Sequence, residues 1–261
     1  MSDPAPSIPT VGIVNLRDAG GHRTADGRAV VRGVLFRSGQ LHSDDSARVL
    51  ADLGVETVFD LRSMDEVRAA PDLVPDGTVV VSLDVLADSE QRIATHLADL
   101  FEDPALVESV LRSGVVEDHY RATYRHLVTL DSARASYASM FNTLAELDRP
   151  ALFHCTAGKD RTGWAAVALL TLLGVDSDTV TADYLASTRP VIESFRVVFE
   201  RFEEAGGDPD VLRPVFAVTE SYLGAAQEAV RDEFGGIEGW FRDGLGLDGA
   251  TLSALRSRLL A

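Results

Sequence analysis

The chain has 261 residues, 46% of them hydrophobic, and a formal net charge of −17. That length and apolar content suffice for a buried core, while the negative charge excludes partners held by general electrostatics, such as nucleic acid or an anionic membrane surface. One cysteine, Cys155, rules out an intrachain disulfide and fits a reducing compartment.

Residues 1–10, rich in Pro, Ser and Ala, read as a flexible tail without the basic start and apolar core of a signal peptide, and residues 11–261 read as a single domain. Val11 to Val14 and Val34 to Phe36 are expected strands. Gly20, Gly21, Gly27 and Gly33 make the stretch between them a hairpin or loop. Ser43-Asp44-Asp45 is expected to cap a helix running to about Leu53 and ended by Gly54. Val55 to Leu61 follows as a buried strand and Val79 to Leu83 as another. Residues 90–148 carry a helical pattern with a break near Ser113-Gly114, and Ala151 to His154 is the next strand. Helices are expected over about 162–173, 176–187, Pro190 to Ala205, 219–233, 236–244 and 249–260, with Gly206-Gly207-Asp208-Pro209 as a break. Strands set among this many helices imply an α/β fold with a mainly parallel sheet flanked by helices. No apolar run reaches about 18 residues, so no membrane-spanning helix is expected. The chain reads as cytoplasmic, with export that needs no signal peptide left open.

Residues 154–163 read His154-Cys155-Thr156-Ala157-Gly158-Lys159-Asp160-Arg161-Thr162-Gly163. They lie between an apolar strand and the apolar stretch from Trp164 to Leu173. A loop of this length at a helix N-terminus turns its backbone N–H groups toward one point, where the helix dipole adds positive potential. That point suits a phosphate dianion. Gly158 permits the tight turn, and Arg161 offers a planar fork for two phosphate oxygens. Cys155 would lie in a field that favours its thiolate. The expected phosphate cradle is thus Cys155, Thr156, Ala157, Gly158, Lys159, Asp160 and Arg161, with Cys155 as nucleophile.

At these residues the chain resembles the cysteine-dependent protein tyrosine phosphatases, and more narrowly the bacterial group typified by mycobacterial protein tyrosine phosphatase B. The resemblance extends to Asn15-Leu16-Arg17-Asp18, Leu35-Phe36-Arg37-Ser38, Asp60-Leu61-Arg62-Ser63 and Ala182-Asp183-Tyr184-Leu185. It implies a tyrosine phosphatase-like fold and hydrolysis of phosphate monoesters through a phosphocysteine. The implied substrates are phosphotyrosine first, with phosphoserine/threonine or phosphoinositide as alternatives. It also implies a pair of helices acting as a lid, matched here by about Pro190 to Leu223. Relatives place the general acid on a loop after an upstream strand, which makes Asp84 the first choice, Asp160 the second and Asp88 the third. No metal or other cofactor is called for, since cysteine chemistry needs none and the six histidines show no ligand spacing.

Other residues are open to a plain structural reading. His154 is expected to hydrogen-bond the loop rather than serve as a base. Thr162 suits a helix start and could also donate to the Cys155 sulfur. Lys159 and Asp160 are either a solvated pair on the loop rim or a contact for a second anionic group. Arg17, Arg37 and Arg62 are expected to form an ion-pair scaffold with Asp18, Asp60 or Asp65 rather than to touch substrate. Trp164 is expected in the core. Two rival functions remain: sulfur transfer, which also uses a loop cysteine before a helix, and a phosphate-binding module without turnover.

Overall fold

The computed structural model describes residues 8, 12–89 and 103–261. Five strands form one sheet in the order β1-β2-β5-β3-β4: β1 Arg17–Asp18, β2 Leu35–Ser38, β3 Thr57–Asp60, β4 Val79–Ser82 and β5 Ala151–His154. All neighbours are parallel except β1 and β2. The helices are α1 Ser46–Asp52, α2 Met64–Ala69, α3 Pro104–Arg112, α4 Val115–Thr129, α5 Asp131–Glu146, α6 Arg161–Leu172, α7 Ser177–Leu185, α8 Thr188–Ser194, α9 Arg196–Glu204, α10 Arg213–Phe216, α11 Glu220–Phe234, α12 Ile237–Gly239 and α13 Gly249–Leu259. The expected α/β class holds. The expected tail, apart from Ile8, and the first part of the 90–148 helical pattern lie outside the described residues.

Side chains alternate across the strands, and the register turns that alternation into two cores. Phe36, Leu152 and Val58 are paired across β2, β5 and β3 and bury against α1 with Leu41, Val49 and Leu50. On the opposite face Leu35, Phe153 and Phe59 join the larger core, which takes in Trp164 and Leu169 of α6, Tyr137 and Phe141 of α5, and Trp240 and Phe241. Trp164 is core as expected and meets Trp240 edge-on at 5.3 Å. The final row of the register sets Ser38, His154, Asp60 and Ser82 along the carboxyl edge of the sheet. In parallel sheets this edge is where ligands bind, and here the 154–163 loop leaves from it.

One expectation is corrected. The described part of the first expected strand, residues 12–14, is no strand: Asn15 has φ +60°, the one positive φ of a non-glycine among the described residues, and this turns the chain before β1. The first helix has the expected bounds, with Asp45 at its N-cap and Leu53 at its C-cap, though Asp45 makes no side-chain cap and the Ser43 hydroxyl accepts the Asp45 N–H.

The break at 206–209 is where it was expected. Around it α8, α9, α10 and the 3₁₀ turn Pro209–Leu212 share a small core of Phe202, Val211, Leu212 and Phe216. Val107 and Leu111 of α3 pack on it, and Arg112 pairs with Asp208 at 2.5 Å.

Candidate active site

Cys155 follows β5 directly and is buried, 2% exposed. The loop reaches α6 through Gly158, whose φ of +68° and position admit no side chain. A Cβ there would lie 2.4 Å from the Ser38 carbonyl oxygen. The Gly158 carbonyl accepts from Asn15 Nδ2 at 2.8 Å and from Arg37 NH2 at 3.1 Å. The loop is therefore tied to β2 and to the turn before β1.

Beneath it lies a buried ionic cluster. Asp183 on α7 accepts from Arg17 Nε at 3.1 Å and from Arg37 NH1 at 2.9 Å, and its backbone carbonyl accepts from Arg17 NH2 at 2.9 Å. Arg17 and Arg37 are thus the scaffold that was expected, but their partner is not Asp18, Asp60 or Asp65. Asp18 instead accepts the backbone N–H groups of Gly20 and Gly33. Arg62 does pair with Asp60, Nε to Oδ1 and NH2 to Oδ2 both at 2.8 Å, and adds Asp72 at 2.9 Å. His154 joins this second cluster, Nε2 to Asp72 at 3.0 Å, with Nδ1 3.3 Å from the Cys155 carbonyl oxygen. That is the structural role expected of it.

Arg161 opens α6. Its NH1 donates to Glu66 Oε2 at 2.6 Å and its NH2 to Glu66 Oε1 at 2.7 Å, and the Thr156 hydroxyl donates to Oε1 as well. Burial pushes the Glu66 carboxyl up, but the Arg161 and Thr156 hydrogen bonds outweigh it and hold the group well below the usual carboxylate range. Burial likewise opposes the charge on Arg161, and Glu66 and Cys155 more than restore it.

Lys159 is not a solvated rim residue. It is 5% exposed, with Nζ 2.9 Å from Asp160, 3.5 Å from the Ala217 carbonyl oxygen and 4.5 Å from the Tyr120 ring centroid. Burial lowers its basicity, yet Asp160 and its other neighbours raise it overall. Asp160, at the N-cap of α6, does not cap the helix but accepts from Tyr124, which in turn accepts from Tyr184. Thr162 Oγ1 is buried without a hydrogen-bond partner, so of its two readings the helix start is realised and the donation to the Cys155 sulfur is not made.

The candidate acids stand apart from one another. Asp84 follows β4, two strands from β5, or about 10 Å at sheet spacing. It accepts the Leu86 N–H of its own turn at 3.1 Å. Asp88 accepts both the N–H and the hydroxyl of Ser132 at the start of α5. Sequence reasoning passed over Glu66 and Asp72, and it quoted Asn15 and Asp183 in the resembling blocks without giving them a role. The Ser63-x-x-Glu66 capping box was the visible signal for Glu66.

A buried thiol at the carboxyl end of a central parallel strand, a few residues before an arginine that starts a helix, is the layout of a phosphate-cleaving enzyme. The chain belongs to the tyrosine phosphatase family, whose model matches residues 8–261. It is 33% identical over 275 residues to the triple specificity protein phosphatase PtpB of Mycobacterium tuberculosis, covering 95% of this chain and 97% of that one. It is 33% identical over 242 residues, 92% of this chain and 84% of the other, to a Cupriavidus necator protein whose name assigns it provisionally to the tyrosine-protein phosphatases. Among solved structures, that of P. aeruginosa TpbA aligns at 22% identity over 72% of this chain and 89% of its own, with a TM-score of 0.31. Membership makes the protein a phosphatase.

Proposed function

We infer that the protein hydrolyses phosphotyrosine in proteins through a phosphocysteine on Cys155. The observation that carries this reading is the single loop that joins Cys155 to Arg161 at the N-terminus of α6. The Cys155 thiolate attacks phosphorus and the ester P–O bond breaks, with a carboxylic acid protonating the leaving oxygen. Water then attacks the phosphocysteine, the P–S bond breaks, and the same carboxylate takes the proton. No metal enters either step. Asp84 is the better choice of acid. Asp160 is taken up by the buried Lys159 ammonium and the Tyr124 hydroxyl, and Asp88 is spent on Ser132. The segment from Pro190 to Leu223 is read as the cover of the site. Its inner end is held by backbone carbonyls, those of Val215 to Tyr120 and of Ala217 to Lys159.

Reactivity toward phosphoserine and phosphothreonine is the second reading, favoured by the relative named for triple specificity. The inward-facing Lys159 weighs against a second anionic contact and hence against phosphoinositide as the main substrate. The protein is placed in the cytoplasm, where a lone cysteine stays reduced.

Cys155→Ser is expected to abolish turnover of p-nitrophenyl phosphate, assayed without added metal, while binding of phosphotyrosine peptides persists. Residual rates above about one per cent of wild type would remove Cys155 as nucleophile. Release of thiocyanate from thiosulfate and cyanide would favour sulfur transfer instead.

A further inference from the structure

Asn15 holds a left-handed backbone, φ +60°, and is 4% exposed. Most side chains resist that region, and asparagine is one of the few that tolerate it. Glycine would make the same turn without strain, so the turn alone does not call for an amide. The Asn15 side chain is fixed at both ends. Its Oδ1 accepts from Arg17 NH1, which leaves Nδ2 to donate to the Gly158 carbonyl at 2.8 Å. Arg17 is held in turn by the Asp183 carboxylate at 3.1 Å and the Ser187 hydroxyl at 3.0 Å.

A trans peptide is planar, so its C=O and the N–H that follows point in opposite directions. The Gly158 carbonyl takes its donors from the β2 side, Asn15 Nδ2 and Arg37 NH2, the latter at 3.1 Å. The Lys159 N–H therefore points away from β2. Earlier in the loop the Thr156 carbonyl accepts the Gln40 N–H at 3.0 Å, which turns the Ala157 N–H in the same way. Neither N–H has a hydrogen-bond partner among the described residues. The backbone of Gln40 thus aims one donor of the loop, and buried side chains aim the other.

We propose that Asn15 is a positioning residue for phosphate-ester cleavage: its amide locks the peptide between Gly158 and Lys159 so that the Lys159 N–H faces the phosphoryl oxygens. The proposal rests on the phosphatase reading of Cys155 and deepens it. A donor aimed in advance needs no reorganisation as charge grows on those oxygens, and removing one such donor costs about 100–1,000-fold in rate. Arg37 still holds the Gly158 carbonyl when the amide is gone, so the loss reaches that range only in part.

Asn15→Gly keeps the turn and removes the amide. Asn15→Asp keeps the turn and an acceptor for Arg17, but sets a carboxylate oxygen in place of the donor. In both, kcat for p-nitrophenyl phosphate should fall about 10–1,000-fold. Amide proton shifts read the aim directly, with orthovanadate as the probe. In wild-type chain the Ala157 and Lys159 N–H protons should both move downfield as vanadate binds. In Asn15→Gly the Lys159 movement should shrink while the Ala157 movement persists. A residue that only stabilises the fold would change both movements or neither. A kcat within about threefold of wild type in Asn15→Gly would overturn the proposal, and so would Lys159 and Ala157 movements that change together. If Asn15→Asp loses activity and Asn15→Gly keeps it, the introduced charge is the cause and the proposal also fails. Wild-type chain that shows both movements but no Cys155-dependent turnover would refute the phosphatase reading and leave the aim of the Lys159 N–H standing.

Discussion

Three arginine–carboxylate clusters meet the 154–163 loop, and two of them, one behind it and one in front, differ in charge balance and in spare donors. Behind, Arg17 and Arg37 share the single carboxylate of Asp183, all three 3% exposed or less. Burial and the Arg17 charge pull the Arg37 pKa down to about 9, with Asp183 and Cys155 resisting, so Arg37 keeps its charge at neutral pH. His22 beside them is driven toward its neutral form by burial. Two cations against one anion leave a surplus positive charge beneath Cys155. In front, Arg161 and Glu66 balance one to one, part-exposed, and the guanidinium keeps one edge uncommitted. The same two functional groups thus form a fully buried ion pair in one place and a part-exposed one with an uncommitted guanidinium edge in the other.

The largest effect separating the two is on stability. Asp183→Ala strands two buried guanidiniums, and breaking a buried pair from one side costs about 3–5 kcal/mol. Urea unfolding should read that loss, against a change under about 1 kcal/mol for the part-exposed Glu66→Gln. A cost under about 1 kcal/mol for Asp183→Ala would show that the rear cluster does not support the loop.

Acid sharpens the same contrast. Burial works to raise the Asp183 pKa, but Arg17 and Arg37 lower it overall. A carboxyl held below its unfolded value of about 3.9 adds stability that is full above that pH and fades as pH falls toward the folded value. Tm should therefore decline as pH falls below about 4. The decline should be shallower in Asp183→Asn than in wild type. Equal slopes would mean that other carboxyls dominate the acid limb.

What the sequence disclosed follows a physical divide. The loop was legible because its parts are contiguous: thiol, glycine and arginine lie within a few residues, and one strand and one helix frame them. The parallel sheet was legible from short apolar runs set among helical patterns. The partners of the arginines were not, because ion pairs such as Arg37 with Asp183 join residues 146 positions apart and spacing carries no trace of them. The same holds for Glu66, whose capping box was visible although its second duty toward Arg161 depends on how α2 meets the loop. The apolar run from Val11 to Val14 misled as a strand over its described residues, 12–14, because apolar content does not report the left-handed turn at Asn15. Lys159 misled because a Lys-Asp pair in a loop usually faces water, whereas here α4 and the residues before α11 close over it.

A third support, at Asp160, gives the smallest of these effects. All five tyrosines of the chain surround the loop or the residues that line it. Tyr137 donates to the Arg161 carbonyl at 3.0 Å, Tyr120 underlies Lys159 and stacks on Tyr222, and Tyr184 donates to Tyr124, which donates to Asp160 at 3.0 Å. Burial, then Asp160 and Tyr184, push the Tyr124 phenol well above its ordinary pKa, so it stays a donor throughout the working range. Tyr124→Phe removes that donor and also the acceptor of the fully buried Tyr184 hydroxyl. Leaving one buried polar group unpaired costs about 1–3 kcal/mol. The ammonium of Lys159 still holds Asp160, so kcat should fall less than about tenfold. Tyr124→Phe combined with Tyr184→Phe removes the stranded hydroxyl as well, so the double variant should be no less stable than Tyr124→Phe alone. If urea unfolding shows the two losses adding, the hydroxyls act on Asp160 independently and the tyrosine chain is not a relay of support.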